Sequence, residues 1–291
     1  MYRLFAFAAK VVPRLPRGLV LALARLIGLV AWLVAGKARR QATANVLHVS
    51  GADIRATRAG RRKLRKTVRG MFQNNVRNYL EVLYPPLSKP EEILHSLRDI
   101  SGIEHLEEAL ALGKGVILVS AHVGPFNTLT QWFAAKGYNV TIPVEHLKDE
   151  RMLDLMLELR RARGVNFIPL GGSAPLRAMI AALRKNELVL ITGDRAVVGE
   201  SVERIFFGAP ARLPLGPVTL AQRTGAMIVG AIGWREPQKL IGGQFSAVSL
   251  ALPEEDRSNA DKLHARIVEV MEEAIRAHPE QWVVFSPVWE A

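Results

Sequence analysis

Apolar and polar positions change rhythm twice along this chain. Residues 18–36, GLVLALARLIGLVAWLVAG, form a nineteen-residue apolar run interrupted only by Arg25. Lys10, Arg14 and Arg17 precede it, and Lys37, Arg39 and Arg40 follow it. The next stretch, Arg55 to Arg69, reverses the balance. Spacings of three and four put Arg58, Arg62, Arg65 and Arg69 on one helix face, with few apolar positions until Val68, Met71 and Phe72. Asn45, Gln73, Asn74, Asn75 and Asn78 add polar surface to the same helical region.

From about residue 100 short apolar runs alternate with amphipathic stretches. Strands are predicted at Val116–Val119, Val140–Val144, Val165–Pro169, Leu188–Thr192 and Ala226–Ile232, with an edge strand at Gln244–Leu250. Between them the pattern predicts helices near 126–136, at Arg151–Arg163 with Gly164 as its stop, at Pro175–Lys185 with Ser173 as its cap, and at Pro217–Thr224. A closing helix runs from Asn259 to Ala277, with Leu263, Ile267, Val270, Met271 and Ala274 on its apolar side. Strands alternating with helices require crossover connections, so the fold class is α/β: a mostly parallel central sheet covered by helices, preceded by N-terminal hydrophobic membrane-anchoring helices. The expected organisation is a membrane-associated segment at 1–40, a basic helical region at 41–100 and an α/β domain at 101–291.

Composition narrows the chemistry. The 291 residues are 49% hydrophobic and 23% charged, enough for a large core and incompatible with global disorder. Cysteine is absent, which removes disulfides, thiol nucleophiles and cysteine-ligated zinc together. With 39 Lys and Arg against 27 Asp and Glu, the net charge is +12, attractive to nucleic acid or to an anionic membrane face. The apolar run favours the membrane. It passes straight into Gly-Lys-Ala-Arg-Arg, without a small-residue cleavage site. A central arginine costs ~2.5–3.5 kcal/mol in a spanning helix, so an anchor lying in the cytoplasmic leaflet with Arg25 snorkelling is favoured over a true span or a buried core helix. No stacking-aromatic motif, zinc-finger spacing or helix-turn-helix supports nucleic acid as a partner.

In a sheet of this kind function gathers in the loops at the carboxyl ends of the strands. The first such loop, VILVSAHVGPFN, carries His122 from a buried strand to a helix opened by Gly124 and Pro125. A histidine there is suited to taking a proton from a hydroxyl as it attacks a carbonyl. The second, LVLITGDR, places Asp194 at the equivalent strand end, either to orient His122 or to cap a turn; Arg195 beside it would hold a phosphate or complete an ion pair. Further on, IFFG and LPLGP form a Phe/Gly/Pro-rich connection. Phe206 and Phe207 would line an apolar channel or sit in the core, and the helix start around Gly216 and Pro217 offers backbone N–H groups to an oxyanion or phosphate. Glu200 and Glu203 are surface charges or alternative acids.

At these residues the sequence resembles the bacterial lipid A late acyltransferases together with the phosphatidylinositol mannoside acyltransferases. The likeness runs from the apolar segment through the strand ending in His122, the GDR loop at Gly193–Arg195, the FFG and LPLGPVTLA stretch at Phe206–Ala221, and HPEQW at His278–Trp282. The resemblance implies an inner-membrane enzyme that moves a fatty acyl group from an acyl carrier protein or coenzyme A thioester to a hydroxyl of a glycolipid or lysophospholipid, with no metal or other cofactor. In that reaction His122 would be the general base, and Arg195, with Arg223 or Arg204, would hold phosphates of the lipid or donor. One departure matters. The family pattern is histidine, four residues, then an acid, and here Asn127 stands in the acidic position. Asparagine can fix an imidazole tautomer but cannot neutralise an imidazolium; in the serine-protease triad the equivalent Asp→Asn change costs about 10⁴ in rate. Asp194 of the GDR loop is therefore expected to supply the acid, with Asn127 a secondary orienter. The alternatives are a lipid-binding homologue that has lost catalysis and a polyanion-binding protein. No GxSxG elbow, P-loop or clustered zinc-binding histidines support other enzyme classes.

Overall fold

The computed structural model describes residues 2–83, 89–145, 149–161, 165–196, 199–236 and 241–289. Four helices come first: α1 (Tyr2–Val11), α2 (Arg17–Val34), α3 (Gly36–Ser50) and α4 (Arg58–Glu81). The apolar run is thus one helix that breaks at Ala35, where ψ of 66° leaves the helical region. Only Val20, Ala24 and Gly28 of α2 are buried, a stripe with period four that packs on α4. At Gly28 a Cβ would lie 2.5 Å from Gln73 Cα, so the two helices approach this closely only because that position is glycine. The opposite face leaves Leu19, Leu26, Ile27, Val30, Leu33 and Val34 exposed, together with Arg25. That is not how a core helix is buried. Among the described residues α2 is the one helix long and apolar enough to cross a membrane by length and composition.

The α4 helix is capped by Thr57, whose hydroxyl accepts from the Gly60 N–H, and it changes character midway. Its first half exposes the predicted arginine face, while Leu64, Val68, Met71 and Phe72 pack against Ala42 and Val46 of α3. After α4 come α5 (Pro90–Ser96), strand β1 (Leu97–Ser101) and α6 (Ile103–Ala111). The alternating core follows: β2 (Val116–Ser120), α7 (Phe126–Ala135), β3 (Val140–Val144), α8 (Glu150–Arg161), β4 (Val165–Pro169), α9 (Ala174–Arg184) and β5 (Leu188–Thr192). A hairpin of β6 (Ser201–Phe206) and β7 (Ala209–Pro214) leads to α10 (Gly216–Thr224), β8 (Met227–Arg235), β9 (Ile241–Ala247) and α11 (Ala260–Ala277).

The described strands form a seven-stranded sheet in the order β1-β9-β8-β2-β5-β3-β4, with β6 and β7 as a separate pair. Strands β8, β2, β5, β3 and β4 run parallel, β9 lies antiparallel to β8, and β1 is parallel to β9. Every residue of β2 is buried because both faces of the sheet are covered. Ile117 and Val119 point into one core with α9, α10 and α11; Val116 and Leu118 point into the other, with α5 to α8.

The sheet is mixed at one side, which corrects one expectation. The strand predicted at Gln244–Leu250 begins at Ile241 and ends at Ala247, and it is not an edge, because β1 pairs outside it. The five residues LRDIS of β1 contain two charges and no alternation to read. The β6–β7 hairpin, expected as an irregular connection, turns through Phe207 and Gly208, both with positive φ. Ser173 does not cap α9: its hydroxyl instead accepts from the Arg177 guanidinium at 2.5 Å. The predicted end of α8 at residues 162–164, including the Gly164 stop, lies outside the described residues.

Candidate active site

Parallel pairing brings two strand ends together. Ser120 closes β2 opposite Thr192 of β5, and the Gly193 N–H donates to the Ser120 carbonyl at 2.9 Å. The loops that follow therefore leave the sheet side by side, with His122 on one and Asp194 on the other. The His122 loop must then pass the end of β8. Gly124 permits this: its φ is 65°, and a Cβ there would sit 2.0 Å from the Gly233 carbonyl oxygen.

Asp194 is completely buried, whereas the His122 side chain keeps 23% of its exposure. Three nitrogens from two of the described residues contact the carboxylate. Oδ1 lies 2.7 Å from His122 Nδ1. Oδ2 accepts from the His122 backbone N–H at 2.9 Å and from the Trp282 indole N–H at 2.8 Å. A carboxylate can only accept, so the Nδ1 proton is on the ring and Nε2 is the nitrogen left to meet a substrate. Burial by itself pushes the Asp194 carboxyl up, but the His122 charge, the ring and backbone donors of His122 and the Trp282 indole together outweigh it. They hold the carboxyl below the usual carboxylate range, so it stays ionised.

His122 lies in the wall of a cavity of about 1190 Å³. Its polar end holds Ser120, His122, Asn127, Thr130, Thr192, Arg195 and Glu200, and Gly216 reaches it from the start of α10. Apart from Tyr79, Glu145 and Asp149, the remaining wall is mostly apolar and comes from two sources. The sheet and its helices supply Ile142, Leu153, Met156, Phe167, Met179 and Leu190; the N-terminal helices supply Phe5, Ala8, Val12, Val20, Leu23 and Ile27, with Val76 and Leu80 from α4. The cavity thus lies between the helical region and the carboxyl ends of β2, β3 and β5, the place where such sheets bind ligands.

The expected site residues divide into two groups. His122, Asn127, Arg195 and Gly216 meet around the cavity, with Asp194 directly behind His122. Asn127 is buried near the start of α7, and among the described residues its side-chain amide makes no hydrogen bond; only its backbone carbonyl is engaged, by the Thr130 hydroxyl. The other four lie elsewhere. Arg204 pairs with Asp261 on α11, and Arg223 is an exposed residue of α10. Phe206 is fully buried and stacks on Trp289, while Phe207 lies under the Arg276 guanidinium with its N–H on the Glu272 carboxylate. Of the two alternatives open for these phenylalanines, the core is the one the packing takes.

Two residues that the pattern did not single out also belong to this region. Glu145 follows β3 as His122 follows β2, and it accepts from Arg195 at 2.9 Å, so the strand-end rule would have found it. Trp282 closes the HPEQW motif, but nothing local in the sequence ties it to Asp194, which it reaches across 88 residues.

Comparison with known proteins places the chain. Residues 2–291 match the family described as Bacterial lipid A biosynthesis acyltransferase. Phosphatidylinositol mannoside acyltransferases of Mycobacterium tuberculosis, strains CDC 1551 / Oshkosh and ATCC 25618 / H37Rv, are each 28% identical over 228 residues, covering 74% of this chain and 67% of theirs. The protein of the same name from Mycolicibacterium smegmatis is 27% identical over 197 residues, covering 66% of this chain and 62% of its own. A match across essentially the whole length, over a sheet whose strand ends meet at an apolar cavity, makes this chain a member of the bacterial lipid A biosynthesis acyltransferase family, and an acyltransferase.

Proposed function

We propose that this enzyme transfers a fatty acyl group from a thioester, carried by acyl carrier protein or coenzyme A, to a hydroxyl of a glycolipid, with His122 as general base. The observation that carries this reading is the His122–Asp194 pair: a buried carboxylate fixes Nδ1, and the ring lies at the polar end of a mostly apolar cavity. The names of the mycobacterial relatives favour a mannosylated phosphatidylinositol as acceptor.

The acyl chain lies against the apolar wall, with its thioester carbonyl at the polar end. Nε2 of His122 removes the proton from the acceptor hydroxyl as its oxygen attacks the carbonyl carbon. Asp194, held ionised, offsets the positive charge that then forms on the ring. The start of α10 at Gly216 turns its positive dipole end to the developing oxyanion. When the tetrahedral species collapses, the carbon–sulfur bond breaks and the ring returns its proton to the departing thiolate. Asn127 lines the cavity without a hydrogen bond to the ring, so the orienting falls to Asp194, and Arg195, braced by Glu145, holds a phosphate of donor or acceptor. The exposed apolar face of α2 sits in the cytoplasmic leaflet of the plasma membrane with Arg25 reaching the headgroups, so the lipid acceptor enters from the bilayer.

Acyl transfer from labelled thioesters into a total membrane lipid extract tests this. The wild type should form a new acylated lipid, resolved by mass, and His122→Ala should lower its rate by about 10²–10⁴-fold. Acyl-chain binding without turnover in the wild type would overturn the reading in favour of a lipid-binding homologue.

A further inference from the structure

The segment around Trp282 holds both loops of the site. The Val283 N–H donates to the His122 carbonyl at 2.9 Å and the Gly124 N–H donates to the Gln281 carbonyl at 3.1 Å, and these two bonds pair Val123 with Trp282 as an isolated antiparallel bridge. A third bond, from the indole N–H, reaches Asp194 Oδ2. The segment is itself anchored: the Gln281 side-chain amide accepts from the Arg235 N–H at 2.8 Å and donates to the Arg235 carbonyl at 3.0 Å, gripping the end of β8 by both backbone groups.

We infer that Trp282 is a positioning residue for acyl transfer: its indole N–H selects which oxygen of Asp194 serves the His122 ring. The selection follows from counting donors. Two N–H groups occupy Oδ2, so Oδ1 is left to Nδ1. The terminal torsion of an aspartate is broad and nearly two-fold, so the backbone N–H alone leaves the carboxylate free to rock between its oxygens. An indole that is fully buried and clamped at both neighbours removes that freedom. Such a device has a reason here: Asn127, five places after His122, is an amide with no hydrogen bond to the ring among the described residues, and Asp194 is the acid that touches it.

This inference rests on His122 acting as the base, and the experiment separates the two. Trp282→Phe deletes the N–H and keeps an aromatic ring. The control is Trp289→Phe, which removes a buried indole bond to the Phe206 carbonyl in the same core without touching the dyad. With folded fraction matched by circular dichroism, Trp282→Phe should lower kcat about 10- to 100-fold with KM nearly unchanged, as expected for losing a hydrogen bond to a charged group. The acid limb of its kcat/KM profile should also move to higher pH, because a carboxylate with one donor fewer holds a proton on the dyad more tightly. Trp289→Phe should lose stability and keep both kcat and the pH profile. Equal kcat losses in the two variants, or an unmoved acid limb in Trp282→Phe, would overturn the inference. If His122→Ala kept full activity, the reading beneath it would fall instead.

Discussion

Two buried pairs of opposite charge in this molecule are built in opposite senses. In the Glu81–Arg235 pair the base is enclosed: the guanidinium side chain is 4% exposed, and the carboxylate is 19% exposed. Arg235 reaches both Glu81 oxygens, at 2.6 and 3.3 Å, and its other donors go to Asn74 and Asn78. In the His122–Asp194 pair the acid is enclosed and the base is reachable. The first arrangement satisfies the cation and joins α4 to the end of β8. The second leaves one nitrogen of a titratable ring open beside a cavity. Buried charge alone therefore does not mark a catalytic site; what distinguishes the two is which partner an incoming molecule can touch.

The comparison is sharpened most by Asp194→Asn. Losing the charge that faces the ring should cost about 10³–10⁴ in kcat, measured by transfer from labelled thioester. Full activity in this variant would erase the distinction between the pairs.

Arg235→Met should act on the other quantity. Among the described residues it leaves the Glu81 carboxylate to Arg77 alone, and it should destabilise the fold by about 1–3 kcal/mol in denaturant titrations, while activity per folded molecule falls far less than in Asp194→Asn. The pair also has an acid signature. Burial pushes the Glu81 carboxyl up, but Arg235 and then Arg77 outweigh it and hold the carboxyl below its ordinary value. The unfolded chain thus binds this proton at a higher pH than the folded one. The stabilisation is complete above the ordinary carboxylate range and is lost as pH falls below about 4.3 toward the folded value. Loss of Arg235 should flatten that part of the stability profile.

The smallest effect is expected from Asn127→Ala. Because its amide makes no hydrogen bond among the described residues, kcat should change by less than about tenfold, the scale of one hydrogen bond. A loss larger than that of Asp194→Asn would hand the acid's place to position 127.

Much of this architecture is legible in the residues. The strands at Val140–Val144, Val165–Pro169 and Leu188–Thr192 coincide with their predicted bounds, because buried parallel strands are short apolar runs fenced by polar turns. The alternation also pointed to His122 and Asp194, since strand ends are local features. Where periodicity was weak the reading failed. The charged strand β1 has no alternation to read, and without it the neighbouring β9 reads as an edge. Phe206 and Phe207 could not be divided between channel and core, because an aromatic serves either until its neighbours are known.

The sequence alone determined the α/β class, the exposed apolar helix beside a basic one, and the two loops where chemistry would gather. These follow from patterns that repeat within a few residues. The tertiary structure decided which acid touches His122. By sequence distance the candidate is Asn127, five residues on; in space it is Asp194, 72 residues on, secured by Trp282 another 88 beyond. That choice depends on the parallel register of Ser120 with Thr192 and on a chain terminus folded back over the loop. Neither leaves a periodic trace, because contacts between distant segments are fixed by how whole elements pack.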